Sequence, residues 1–86
     1  MQIFFKRSFQ HKYRGLSHKL KEKFKERQEL FTKEPNSRIL NIHKLSGKYD
    51  GMWSINITGD YRAIFDKQEN GVIIFINIGT HSELFG

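Results

Sequence analysis

Cysteine is absent from this chain of 86 residues, and proline occurs once, at Pro35. No disulfide can staple the fold and no thiolate can serve as nucleophile or ligand, a usage that fits a reducing cytoplasm. Long apolar runs are missing too, and nothing approaches the roughly 18 residues of a membrane span, so no membrane partner is expected. The opening Met1-Gln2-Ile3-Phe4-Phe5-Lys6-Arg7 carries an apolar patch too short for the core of a signal peptide. Acidic residues are scarce where basic ones are dense. From Met1 to Lys48 thirteen Lys and Arg stand against four Glu, a net of +9; from Tyr49 to Gly86 two stand against five Asp and Glu, a net of −3, and the halves together give the overall +6. A basic half favours an anionic partner such as nucleic acid or an acidic protein tail, or acts as a solvated surface that maintains solubility.

Aromatic residues are plentiful, with eight Phe, three Tyr and one Trp. Each covers a large area, which suits one small domain over residues 1–86 with one core. The segment 3–7 reads as a first strand, and Ser8 as the N-cap of a short helix over 8–14 that Gly15 interrupts. The helical period resumes at Ser17. Leu20, Phe24 and Phe31 lie near one face, while Lys19, Lys21, Lys23, Lys25 and Arg27 fall largely on the others. Pro35 stops this second helix near Lys33. Residues 36–51 read as irregular, anchored by Ile39, Leu40, Ile42 and Leu45.

Three strands follow. Trp53, Ile55 and Ile57 alternate with Ser54, Asn56 and Thr58; Gly59-Asp60 predicts a two-residue hairpin turn; and 61–66 returns. Asn70-Gly71 marks a second turn, after which 72–78 is a nearly continuous apolar run suited to the centre of a sheet. The order β-α-α-β-β-β predicts an α+β fold: an N-terminal strand, an αα-hairpin and an antiparallel three-stranded meander with the helices on one face. In a strict two-residue hairpin Ile57 faces Arg62, which places Arg62 on the Trp53/Ile55/Ile57 face. Arg62 then shares a site with Ser54 and Asn56 only if the turn is bulged or the guanidinium snorkels.

Four histidines bear on chemistry. His11 and His18 sit among helix lysines and read as surface. No pair combines metal-ligand spacing with carboxylates, so neither metal nor cofactor is expected. His43 lies in Asn41-Ile42-His43-Lys44-Leu45-Ser46-Gly47-Lys48, where Lys44 and Lys48 can contact phosphates, or where the His can simply bond the backbone of a structural loop. His81 stands just past the end of a strand, after Gly79 and Thr80. Its imidazole can donate or accept a proton, or can merely cap the terminal turn. Arg62, held on a strand, can clamp a phosphate or pair with Asp60 or Asp66. Such groups are compatible with RNA scission, in which the ribose 2′-OH attacks the adjacent phosphorus. The protein must then take a proton from that hydroxyl, neutralise the phosphorane and protonate the leaving oxygen.

Three segments carry a family resemblance: 41–48; Trp53-Ser54-Ile55-Asn56-Ile57-Thr58-Gly59-Asp60-Tyr61-Arg62-Ala63-Ile64-Phe65; and the tail Ile78-Gly79-Thr80-His81-Ser82-Glu83-Leu84-Phe85-Gly86. In this order, behind a basic αα-hairpin, they make the chain resemble the RelE/ParE superfamily of toxins from bacterial type II toxin–antitoxin modules, closest to the RelE/StbE and YafQ-like branch. The resemblance implies a microbial-RNase-like fold and a cytoplasmic, metal-independent mRNA endonuclease (an mRNA interferase) acting in the ribosomal A site. It also implies a small cognate antitoxin that silences the toxin. By the same resemblance His81 and His43 match catalytic histidines, Asp60 an acidic residue near the hairpin, and Arg62 an arginine after the hairpin aromatic. His81 is then expected as general acid or base, Arg62 as phosphate clamp, and His43 and Asp60 in support. Lys19, Lys23, Lys44 and Lys48 are expected to contact RNA, including 16S ribosomal RNA.

The chain also departs from the family. Asn56 and Ser54 replace a His and an Asp of YafQ-like toxins, or two lysines of RelE; Phe85 replaces a RelE tyrosine; Asn77 replaces an arginine of the YafQ tail. A catalytically weakened toxin and a ParE-like gyrase inhibitor on the same fold are the alternatives, the second having no need of a proton-transfer pair. A plain RNA-binding module is a third class. Double-stranded RNA domains, however, run α-β-β-β-α, with a long helix after the sheet.

Overall fold

Helix boundaries fall where side chains can satisfy or block the backbone. A computed structural model describes residues 1–86. In it Ser17 caps a helix α2 over His18–Lys33, its Oγ accepting from the Leu20 N–H at 3.2 Å. The helix ends ahead of Pro35, whose ring cannot continue it. Before it come strand β1 (Gln2–Phe5) and helix α1 (Arg7–Arg14). Ser8 is not the cap expected for α1. The helix starts one residue earlier, Lys6 stands at the cap without a side-chain bond, and the Ser8 hydroxyl instead donates to the Ile76 carbonyl at 2.9 Å.

The sheet completes as β2 (His43–Lys44), β3 (Trp53–Asn56), β4 (Tyr61–Lys67) and β5 (Val72–Thr80), and the chain ends in a short helix α3 (His81–Phe85). The strand order is β1-β5-β4-β3-β2, with β1 parallel to β5 and the other pairs antiparallel. The strand, helix pair and meander read from the sequence are all present, and the apolar run ending in β5 is an interior strand. The structure adds the edge strand β2 and a 3-10 turn over Gly47–Tyr49, both inside the segment read as irregular, a second 3-10 turn over Glu69–Gly71, and α3.

One face of the sheet is covered by α1 and α2. Phe9, Phe24 and Phe31 from the helices meet Phe65 and Phe75 from the strands, with ring centroids 5.3 Å apart for Phe24–Phe75 and 5.1 Å for Phe31–Phe65. Ile55, Ala63, Ile73 and Ile78 close the same cluster. Apolar burial of this kind is the main favourable term for so small a chain.

The pairing decides what lies on the other face. Asn56 pairs with Arg62, Ile55 with Ala63 and Ser54 with Ile64. This is one residue away from the register of a strict two-residue turn, and the reason lies in Thr58. Its hydroxyl accepts from the N–H groups of both Asp60 and Tyr61, which stabilises a wider turn over 57–61. A one-residue shift moves every side chain to the opposite face. Arg62 thus leaves the helix side and joins Ser54 and Asn56. Across the next ladder Ile64 pairs with Asn77 but Phe65 with Phe75, so Ile76 is a bulge, and its carbonyl is the one that Ser8 satisfies.

Candidate active site

On the open face of the sheet, opposite the helices, a cavity of about 290 Å³ is lined by Asn41, His43, Leu45, Ser54, Arg62, His81 and Phe85. The edge strand β2 supplies His43, paired directly with Ser54 on β3, so the two side chains stand side by side on this face. The Nδ1 atom of His43 lies 2.9 Å from the Asn41 carbonyl oxygen. A carbonyl only accepts, so Nδ1 carries the proton and the neutral ring keeps its lone pair on Nε2. Asn41 aims that carbonyl from a left-handed conformation, φ 44°, which asparagine tolerates better than most residues.

Arg62 has no carboxylate partner. The chain's three ion pairs, His18–Glu22, Lys23–Glu26 and Arg27–Glu26, all lie on α2, so the alternative of a bridge from Arg62 to Asp60 or Asp66 is not realised. Its Nη1 points back to the carbonyls of Thr58, Gly59 and Tyr61 at 3.0–3.2 Å. That anchors the guanidinium on the turn while Nε and Nη2 make no bond within the chain. The anchor also explains why the head is fixed without a counter-charge.

His81 is the first residue of α3. Thr80 and Glu83 form a reciprocal capping box: the Thr80 hydroxyl accepts from the Glu83 N–H at 3.2 Å, and Glu83 Oε1 accepts from the Thr80 N–H at 2.7 Å. These bonds from Thr80 hold the Glu83 carboxyl below its usual range, with Lys12 adding a smaller attraction. The His81 N–H donates to the Asp60 carbonyl at 3.0 Å. Asp60 therefore reaches the site through its main chain; its side chain is exposed and does not line the cavity. The His81 ring packs on Phe85, centroids 5.0 Å apart. Phe85 meets the edge of Tyr49 at 5.9 Å, and Asn77 Nδ2 donates to the Tyr49 hydroxyl at 3.1 Å. Gly79 permits this fold-back, since a Cβ there would sit 2.9 Å from Lys12 Nζ and 3.1 Å from Glu83 Oε1.

Two polar atoms of this face have no partner. Ser54 Oγ and Asn56 Oδ1 are buried and unbonded, and Ser54 is 0% exposed. A buried hydroxyl left unpaired costs stability. The only polar side chain sealed in the interior is therefore also one that lines the cavity.

The structure brings together His43, Arg62 and His81. The lysines expected to touch RNA divide. Lys48 lies 5.4 Å from the centre of the Tyr49 ring, beside the Phe85 wall. Lys44 alternates with His43 and pairs with Trp53, so it faces the helix side of β2. Lys19 and Lys23 ride on α2, across the sheet from the cavity. No three His, Asp or Glu side chains converge as metal ligands would. Sequence reasoning missed Asn41 as the orienting group for His43, and α3 as the element that carries His81. The signal for α3 was present in Thr80-His81-Ser82-Glu83, a Thr and a Glu at capping-box spacing.

Known proteins place these features in context. The sequence profile described as bacterial toxin of type II toxin-antitoxin system, YafQ, matches residues 1–86. YafQ from E. coli strain BL21(DE3) superposes with a TM-score of 0.78 at 22% identity, covering 99% of this chain and 98% of that one. A chain of the E. coli DinJ-YafQ complex gives 0.74 at 21%, with 99% and 98% covered. A chain of the archaeal RelE-RelB complex from Pyrococcus horikoshii OT3 gives 0.72 at 21%, with 92% of each covered. At these identities the likeness is one of fold. No curated protein matches the sequence.

Proposed function

The chain belongs to the YafQ family of bacterial toxins of type II toxin–antitoxin systems, and from that premise we propose that it is an endoribonuclease that cuts mRNA on the ribosome. The observation that carries the reading is the convergence of His43, Arg62 and His81 on one cavity whose buried hydroxyl, Ser54, has no partner. Two imidazoles and an unpaired guanidinium match the three demands of scission. His43, with Nδ1 committed to Asn41, offers Nε2 as the base for the 2′-OH. The free Nε and Nη2 donors of Arg62 face the charge that builds on the phosphorane oxygens. His81, held by the capping box and by Asp60, protonates the leaving 5′-oxygen. The O2′–P bond forms as the P–O5′ bond breaks, leaving a 2′,3′-cyclic phosphate and a 5′-hydroxyl.

The partner of the resting toxin is a cognate antitoxin, as DinJ pairs with YafQ and RelB with RelE in the similar complexes. The decisive experiment is cleavage of a defined mRNA on programmed ribosomes, with ends mapped by primer extension, for the wild type and His81→Ala. Discrete cuts that vanish in a folded mutant are expected. Competent ribosomes with no cuts by the wild type would overturn the reading.

A further inference from the structure

The histidine cavity is not the largest on the molecule. A crevice of about 830 Å³ opens beyond the C-terminal end of α2, on the helix side of the sheet, with Trp53, Phe31, Phe65 and Ile42 among its walls. Arg38 and Lys67 stand in the same lining, and none of its twelve residues is acidic. Lys67 Nζ lies 5.5 Å from the centre of the Trp53 ring. Lys44 is the cross-strand partner of Trp53, and so shares its face. All three cations are exposed, and none is engaged in an ion pair. Burying an apolar wall does not require them here, and three unpaired like charges on one side of the sheet repel one another. A ligand that is both planar and anionic relieves that repulsion.

Asn41 lines this crevice and the histidine cavity alike. The two spaces therefore meet across the edge strand β2, one on each face of the sheet. A polynucleotide with its scissile phosphate at Arg62 needs only to pass over β2 to enter the crevice. We propose that the crevice is a second RNA subsite, which seats a nucleotide flanking the cut: Trp53 is the stacking platform for its base, and Arg38, Lys44 and Lys67 are contacts for its phosphates. Aromatic stacking joined to a cationic groove is the usual chemistry of single-strand binding. The inference rests on the nuclease reading above, and it gives Lys44 a role on the face opposite His43.

Trp53 is the single tryptophan of the chain, so its emission reports on this crevice alone. The probe is a fluorescein-labelled 2′-O-methyl RNA of about ten nucleotides, a length within the usual single-strand site size. Its blocked 2′-oxygens prevent cleavage. Binding followed by anisotropy should be accompanied by quenching of Trp53. The triple variant Arg38→Gln, Lys44→Gln, Lys67→Gln changes only exposed side chains. It should bind at least about tenfold more weakly, and its slope of log K against log salt should be shallower by about 2, at roughly 0.7 per lost phosphate contact. RNA that binds without moving Trp53 emission, or a triple variant that matches the wild type, would overturn the subsite and leave the nuclease reading standing. Equal quenching by a polyglutamate peptide would make the crevice a seat for acidic protein and overturn it as well. A wild type that cuts on ribosomes but does not bind the probe has the same consequence. If the wild type neither binds nor cuts, the nuclease reading itself fails.

Discussion

The two faces of the sheet are built on opposite rules. Under the helices, Phe9, Phe24, Phe31, Phe65 and Phe75 interlock, and no buried side-chain polar atom is left without a bond. On the other face a charged Arg, two imidazoles and the unbonded Ser54 hydroxyl line one small cavity, with the unbonded Asn56 Oδ1 on the same face. The first face is fully satisfied by itself. The second leaves Ser54 Oγ and Asn56 Oδ1 without a partner in the chain. The packed core and the candidate site are thus separated by the thickness of one sheet, so a change in one need not disturb the other.

The sharpest way to break this contrast is to damage each face in turn. Phe75→Ala removes the ring that touches Phe5, Phe9, Phe24, Phe31 and Phe65. A loss of about 3–5 kcal/mol is expected, a large part of the total for a small domain. Thermal unfolding followed by circular dichroism measures it, and a shift of only a degree or two would refute the division. His81→Ala should do the reverse. Cleavage on ribosomes should fall by about 10²–10⁴, while the melting temperature stays within a few degrees of wild type, since the ring is exposed.

Ser54→Ala tests the contrast within one residue. Removing a buried, unbonded hydroxyl should leave the fold unchanged or stabilise it by up to about 1 kcal/mol, and yet slow cleavage about tenfold. A variant that is less stable and equally active would mean that Ser54 belongs to the structural face. The smallest effect concerns pH. The Glu83 carboxyl is held below its ordinary value of 4.5 by its bonds to Thr80. A lowered folded-state value means that its contribution is complete above the unfolded value and is lost as pH falls through the folded one. The Thr80 amide, followed by NMR, should hold its bonded shift down past pH 4.5 and then move. An amide that moves already above that value would show that the box does not hold.

Much of the fold was legible in the residues. Ser17 and Pro35 bracket α2, Asn70-Gly71 turns the chain into β5 with φ of 60° and 74°, and the helical spacing of Phe24 and Phe31 identifies a buried face. These are local signals, set within a few residues by sterics and by the period of the helix. The candidate site was legible as a list of groups, His43, Asp60, Arg62 and His81, but not as an arrangement, in which Asp60 contributes only its main chain. The lysines show the limit most clearly. Lys44 is next to His43 in sequence, but strand alternation sends the two to opposite faces.

By itself the sequence determined which groups could act and where the chain turns, because caps, breakers and apolar periods work through neighbours in the chain. Only the tertiary structure decided that they stand together. The hydroxyl of Thr58 sets the hairpin one residue off the simplest register, and that single step carries Arg62 from the packed face to the open one. The capping box then folds the tail back, so that His81 comes to rest on the Asp60 carbonyl, twenty-one residues upstream. A register is a choice between pairings of nearly equal local energy, and only the burial of one whole face against the helices selects between them.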